Sequence, residues 1–437
     1  MNTWVPSVTS HCSFPVERLT LQNGLRIVLQ PDPQVPLVVL QVSYGAGARA
    51  ESADRSGLAH LCEHLAFTGP SQGSRGNYPT LLQGRGGVAN ATTSPDHSRF
   101  NTLLPSRELP LGLWVEGQRL SGLAAHLDRE TLEVQRKVLL EERRQRVENR
   151  PYGRAIEQLH QLLYPSDHPY HRPPAGSFAG LRAITAQDVE DFFTAYYTPR
   201  NAVLTLAGDL RPDEIAPLLE ELASIPGGEE PLPQRPPELG PLDGELRHVA
   251  EDRVPALRAY VGYRAAGIGQ KSWHAAVLLS EHLAVGRTSS LKRELIHEQS
   301  LAQDVDAYLI TMRDASTIAF SATAAPGVEQ RRLEDALITT CERLLSTGMT
   351  EPVMRQLQKR VVKGLYHKFH DLTDRAAFCT NLVYWPNVSD RLVDVVERFS
   401  ALDRDDLVAS GLAMCQPTNR AVLTIVPMNH AARRGTP

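Results

Sequence analysis

The chain has 437 residues, of which 42% are hydrophobic and 22% charged, with a net charge of −4 and a pI near 6.4. That length asks for two or three domains, and the composition is that of an ordinary globular protein, not a disordered or fibrous one. The near-balanced charge excludes an electrostatic platform for nucleic acid or for an anionic membrane surface.

Residues 1–19 (MNTWVPSVTSHCSFPVERL) have no basic n-region and no continuous apolar core, so no signal peptide is expected. Strand-like runs follow at Leu25 to Leu29 and Leu37 to Tyr44, separated by the turn-forming PDPQVP. Helical patterns occupy 56–68, 106–122 and 128–148, and a further helix precedes the strand Ala202 to Ala207. From Pro226 to Gly244 the chain holds six prolines and four glycines, which sustain neither a helix nor a central strand. This stretch is an expected linker at 226–244, between a domain at 1–225 and another at 245–437.

The second half repeats the order: a strand at Ala256 to Tyr263, helices at 272–285 and 288–298, and strands near 302–311 and 315–324. A long helix near 328–346 and a closing strand at Ala421 to Val426 complete it. The expected fold is α+β, in two similar domains, each a mixed, mostly antiparallel sheet with helices packed on one face. No stretch reaches the roughly 18 to 20 apolar residues of a membrane span. Five scattered cysteines (Cys12, Cys62, Cys341, Cys379 and Cys415), without a C-x-x-C pair, make neither a disulfide framework nor a cysteine zinc site. A cytoplasmic location is expected, with no nucleic-acid or membrane partner.

Chemistry concentrates at 57–69, GLAHLCEHLAFTG. On a helix, His60 and His64 project from one face at a spacing that lets two imidazoles reach one metal ion, and Glu63 shares that face. Two imidazoles need a third protein ligand and an open position for water, whose proton a nearby carboxylate can take. Glu63 is placed for that base role. The segment Leu132 to Val147 offers the third ligand. Taking Val138 as the origin of a helical wheel, Val134, Leu139 and Leu132 define an apolar stripe centred at about 45°, and Glu142 falls at about 40°. Glu141, about 100° away, is the alternative. Gln135 shares the Glu142 face and is the expected hydrogen-bonding support for the site.

These residues resemble the zinc motif of the pitrilysin/insulinase family of inverted-motif (HxxEH) peptidases, in its short two-domain type, which includes the mitochondrial processing peptidase. The likeness continues through LQNGLRIVLQ at 21–30, YGAGARAE at 44–51, GGVANATTSPDHSRF at 86–100, NRPYGRA at 149–155, HPYHRP at 168–173 and YYTPRNAVLTLAGDL at 196–210. The resemblance implies a zinc-dependent peptidase acting on unstructured oligopeptides or small precursor peptides, with one Zn2+ per chain. It places zinc on His60, His64 and Glu142 and the catalytic base on Glu63. Where the family has a further glutamate, this chain has Gln135. Asn90 matches the family's Asn-Ala on the strand that grips the substrate backbone.

The family's second half often carries an arginine and, seven residues on, a tyrosine that help hold substrate. Aligning SLAQDV puts Ile296 and Gln303 at those positions. The pair is therefore expected from a homologous partner subunit in a heterodimer, with a homodimer as second choice. The competing reading is a non-catalytic structural or peptide-binding subunit of the same fold. His168 and His171 are expected in a proline-bounded surface turn and Cys62 in the core, while His297, His367 and His370 carry no assigned role.

Overall fold

The computed structural model describes residues 16–69, 77–121, 128–231, 236–284, 286, 289–347, 349–385 and 392–428. Cys12 and most of the N-terminal stretch read for a leader lie outside them. The first sheet is built from β1 (Glu17–Thr20), β2 (Arg26–Pro31), β3 (Leu37–Tyr44), β4 (Val88–Thr93), β5 (Ser98–Pro105) and β6 (Ala202–Gly208). The second comprises β7 (Leu246–Asp252), β8 (Arg258–Ala266), β9 (Ala302–Ile310), β10 (Ala315–Ala324) and β11 (Arg420–Pro427). Helices used to describe the packing are α1 (Leu58–Thr68), α2 (Leu109–Leu120), α3 (Arg129–Arg143), α4 (Ala155–Leu163), α5 (Lys271–Ala284), α6 (Gln330–Thr347), α7 (Leu372–Tyr384) and α8 (Arg404–Met414).

Strand order is β1-β2-β6-β3-β5-β4 in the first sheet and β7-β11-β8-β10-β9 in the second. With the edge strand β1 set aside, the two orders are the same: first, last, second, fourth, third. In both, the first and last strands pair in parallel and the other pairs are antiparallel. The duplication visible in the sequence is thus a duplication of topology.

The chain forms two compact units. One contains 1–141, 172–236 and 364–395, and the other 142–171, 237–363 and 396–437. These are not the sequential stretches 1–225 and 245–437, although one crossing from unit to unit, at residues 236 and 237, does fall inside the 226–244 linker. The physical reason lies in the strands. β6 and β10 are buried at every position and β3 and β8 at nearly every one, so both faces of each sheet need cover.

In the first unit α1 and α2 join one face, in a core that includes Leu25, Leu40, Phe100 and Leu204. The opposite face is covered by α7, from the second half of the sequence. Ala376 packs with Val39 and Ala207, and Cys379 with Val28 and Val203. Thr380 is hydrogen-bonded to Gln41 and, at 2.7 Å, to Thr205, and Arg99 donates to Asn381 at 2.8 Å. In the second unit α4, from the first half, occupies the corresponding position. It packs with Tyr260, Ala319 and Leu423, and a Cβ on Gly262 would come within 2.7 Å of Leu159. Strand alternation turns Val261 and Tyr263 the other way, and α5, α6 and α8 also pack against β8.

Candidate metal centre

Helix α1 begins where Gly57 takes a left-handed φ of 100°, and a Cβ there would lie 2.6 Å from Leu181. Glycine is required on both counts. Leu58, Ala59, Leu61, Cys62, Leu65 and Ala66 are buried on the core side, which turns His60 and His64 toward the other face, each half-buried. Their rings stand 4.9 Å apart, nearly perpendicular at 87°. Glu63 is more enclosed than either, with 5% exposure.

Helix α3 presents Leu132, Arg136, Leu139 and Arg143 to the interior. Arg136 donates to the carbonyls of Leu181 and Ile184 (2.8 Å for the latter), which fastens the helix. The apolar stripe expected from Val134 and Val138 is not the buried one: these valines are 49% and 45% exposed. The buried stripe is rotated toward Leu132 and Leu139, because the long Arg136 and Arg143 side chains lie inward and find acceptors. Arg143, for example, pairs with Glu157 at 2.9 Å. Gln135 and Glu142 therefore sit at the margin of this face, half-buried, and Glu141 is exposed.

His60, His64 and Glu142 each offer one ligand atom, and these atoms lie within 4.8 Å of one another. Among the described residues no other group of three or more His, Cys, Asp or Glu meets the same description. Gln135 Oε1 is 3.4 Å from His64 Nδ1, and Glu142 Oε1 pairs with the Arg146 guanidinium at 2.6 Å. That guanidinium is 78% exposed, so a cation entering the site displaces a contact of little net strength. Two nitrogen donors and one carboxylate are the donor set of a catalytic zinc site.

The surroundings are apolar and fixed. Burial pushes the Cys62 thiol well above its ordinary range, so this cysteine is a core residue and no nucleophile. Glu51, to which no sequence motif assigns a role, is 5% exposed and accepts from Gly57 N at 2.9 Å and Ala59 N at 2.8 Å. Burial pushes its carboxyl up to about 8, while those two N–H groups and Arg172 pull the other way. The signal was present in YGAGARAE, an acidic residue six positions before the N-cap Gly57, but no spacing rule marks a cap so far from its helix.

Asn90 lies on β4, the edge strand of the first sheet, where its side chain accepts from Ala91 N at 2.9 Å. Ile296 is half-buried in the helical turn Arg293–Glu298 and Gln303 is exposed on β9. The HPYHRP segment is not the surface turn expected. His168 is 1% exposed and stacks on Tyr164 at 5.2 Å, and His171 Nδ1 lies 2.8 Å from the Tyr164 carbonyl. His297, His367 and His370 are exposed, the last two with ring centroids 5.8 Å apart. No described helix is long and apolar enough to cross a membrane.

Comparison with known proteins bears on this geometry. Residues 26–172 match the family profile described as insulinase (peptidase family M16), and 183–361 match the one described as peptidase M16 inactive domain. The chain is 27% identical over 399 residues to the zinc protease PqqE of Helicobacter pylori, covering 90% of this chain and 88% of that one. It is 29% identical over 341 residues to an uncharacterized zinc protease of Mycobacterium tuberculosis, covering 76% of each. Among solved structures, a protease from Helicobacter pylori superposes with a TM-score of 0.85 at 25% identity, over 95% of this chain and 100% of that one.

Proposed function

Because the chain belongs to peptidase family M16, in its short two-domain type, we propose that it is a zinc metallopeptidase hydrolysing unstructured oligopeptides or small precursor peptides. The observation that carries this reading is the convergence of His60, His64 and Glu142 within 4.8 Å, beside the enclosed Glu63. These three residues would hold one Zn2+ ion. Such an ion supplies Lewis acidity and lowers the pKa of water toward about 7.

The protein's own groups do the rest. Glu63 takes the proton of the attacking water and delivers it to the leaving amine. A proton on His64 Nδ1, shared with Gln135 Oε1, leaves the Nε2 lone pair for the metal. The outer edge of β4 accepts a peptide as an added strand, held by backbone hydrogen bonds and by the Asn90 amide, with broad tolerance for side chains. Ile296 and Gln303 cannot replace a guanidinium and a phenol, and a homologous partner subunit supplies that pair.

The test is Glu63→Gln in the full chain. It should retain one zinc per polypeptide and lose peptide hydrolysis. Retained turnover would favour another base, and wild-type protein that holds zinc without cutting any peptide, with or without a partner, would favour the non-catalytic reading.

A further inference from the structure

We propose that Glu51 and Arg119 are positioning residues that pin the metal-bearing helix α1 at its two ends, setting where His60 and His64 stand. The proposal rests on the reading that those histidines hold a metal. At the start of α1, Gly57 has no side chain to cap the helix, and both Glu51 carboxyl oxygens accept from the first turn, at Gly57 N and Ala59 N. At its end, Arg119 of α2 donates from Nε to the Ala66 carbonyl at 3.0 Å. Each takes up a backbone group that the helix itself leaves unsatisfied. At the C-terminal end the Arg119 cation also matches the helix dipole.

Neither anchor is free to drift. Arg119 is 1% exposed, pairs with the equally buried Glu116, and lies over the Phe100 ring at 4.6 Å. Glu51 ends a loop fastened to the β4–β5 turn: Ala48 N donates to Ser94 O at 3.1 Å, Arg49 N to Pro95 O at 2.8 Å, and the Arg49 guanidinium pairs with Asp96 at 3.1 Å. Gly47 fits there only without a Cβ, which would meet three backbone atoms of that turn at 2.5 Å. Arg172 holds the Glu51 carbonyl at 3.1 Å. The loop that anchors the metal helix therefore also braces the hairpin of the edge strand β4.

Two anchors are needed because a helix has two soft ways to err. Sliding or turning by half a residue moves its side chains by about 0.75 Å along the axis or about 50° around it. Metal–ligand distances tolerate only about 0.2 Å. Core packing holds the buried face of the helix, and the hydrogen bonds at its two ends add directional restraints on axial position and rotation.

The experiment compares wild type, Glu51→Gln and the double variant Glu116→Gln/Arg119→Met, which removes the buried pair without stranding a charge. Leu423→Ala, in the second sheet, serves as a control for general destabilisation. Full-length proteins are examined by zinc competition titration, by the visible spectrum of the Co2+-substituted form, and by far-UV circular dichroism. Both site variants should keep the native far-UV spectrum, lose about tenfold to a hundredfold in zinc affinity, and show altered cobalt bands. The control should leave affinity and cobalt bands unchanged. Wild-type affinity and bands in Glu51→Gln would overturn the proposal while leaving the metal site intact. Loss of the native far-UV spectrum in that variant would overturn it too, since the residue would then hold the whole unit together. Wild-type protein that binds neither metal would instead overturn the metal reading itself.

Discussion

Gln135 Oε1 stands 3.4 Å from His64 Nδ1, on the same helix as Glu142 and seven residues before it. The distance is long for an N–H···O bond, and a neutral amide gives less to an imidazole than a carboxylate does. Gln135→Glu should tighten zinc binding and raise turnover by about tenfold, and Gln135→Ala should weaken binding by about tenfold. Zinc competition titration reads both. An unchanged affinity in both variants would remove Gln135 from the site.

Glu142 and Glu141 are neighbours in sequence, and only Glu142 faces the histidines. Glu142→Gln should remove most of the bound zinc, while Glu141→Gln should leave one equivalent per chain. Elemental analysis of the two purified variants decides the matter, and the reverse pattern would move the third ligand to Glu141.

The isolated chain should be a weak peptidase even at full zinc loading, since Ile296 and Gln303 offer no charged contact to the reacting amide. One missing contact of that kind costs about 2.7 to 4 kcal/mol, or roughly a hundredfold to a thousandfold in rate. A homologous partner carrying the arginine and tyrosine should restore that factor at constant zinc content. Full turnover by the chain alone, with no gain on adding such a partner, would mean that the chain or its homodimer completes the site.

Acid should destabilise the fold before its carboxylates protonate. Burial lowers His97 from 6.5 to about 3, with Arg99 adding to the effect, and burial lowers His160 to about 4. An unfolded histidine takes a proton near pH 6.5 while the folded one stays neutral, so stability is full above that pH and declines as pH falls toward 3. Chemical denaturation of metal-free protein should show this slope, and His97→Gln should flatten it. A slope unchanged by that substitution would assign the acid sensitivity elsewhere.

The grouping of His60, His64 and Glu142 was legible in the sequence because it lies in local pattern. The His60–His64 spacing is a property of one helical turn, and Glu142 is placed by a helical wheel whose apolar stripe includes Leu132 and Leu139, which are buried. The apolar face of α3 was misplaced by the exposed Val134 and Val138, since binary patterning cannot foresee an arginine such as Arg136 buried against carbonyls. Strands β3 and β10 match their expected ranges because long apolar runs with β-branched residues leave few alternatives. Glu51, Arg119 and the buried His168 could not be read, because each acts through a contact fixed only by tertiary packing. The exchange of α4 and α7 between the two halves of the sequence is of the same kind: no local signal says which sheet a helix will cover.

That exchange has a consequence for how the chain is made. Strand β6 ends at Gly208 and α7 ends at Tyr384, a separation of 176 residues. At a ribosomal rate of about 5 to 20 residues per second, the first sheet waits roughly 10 to 35 s with Val28, Val39, Val203 and Ala207 uncovered. The nascent N-terminal half is then a natural client for a holding chaperone. A gene truncated after the linker would yield a polypeptide that stays in that vulnerable state, and supplying residues 364–395 as a separate peptide would be the way to rescue it.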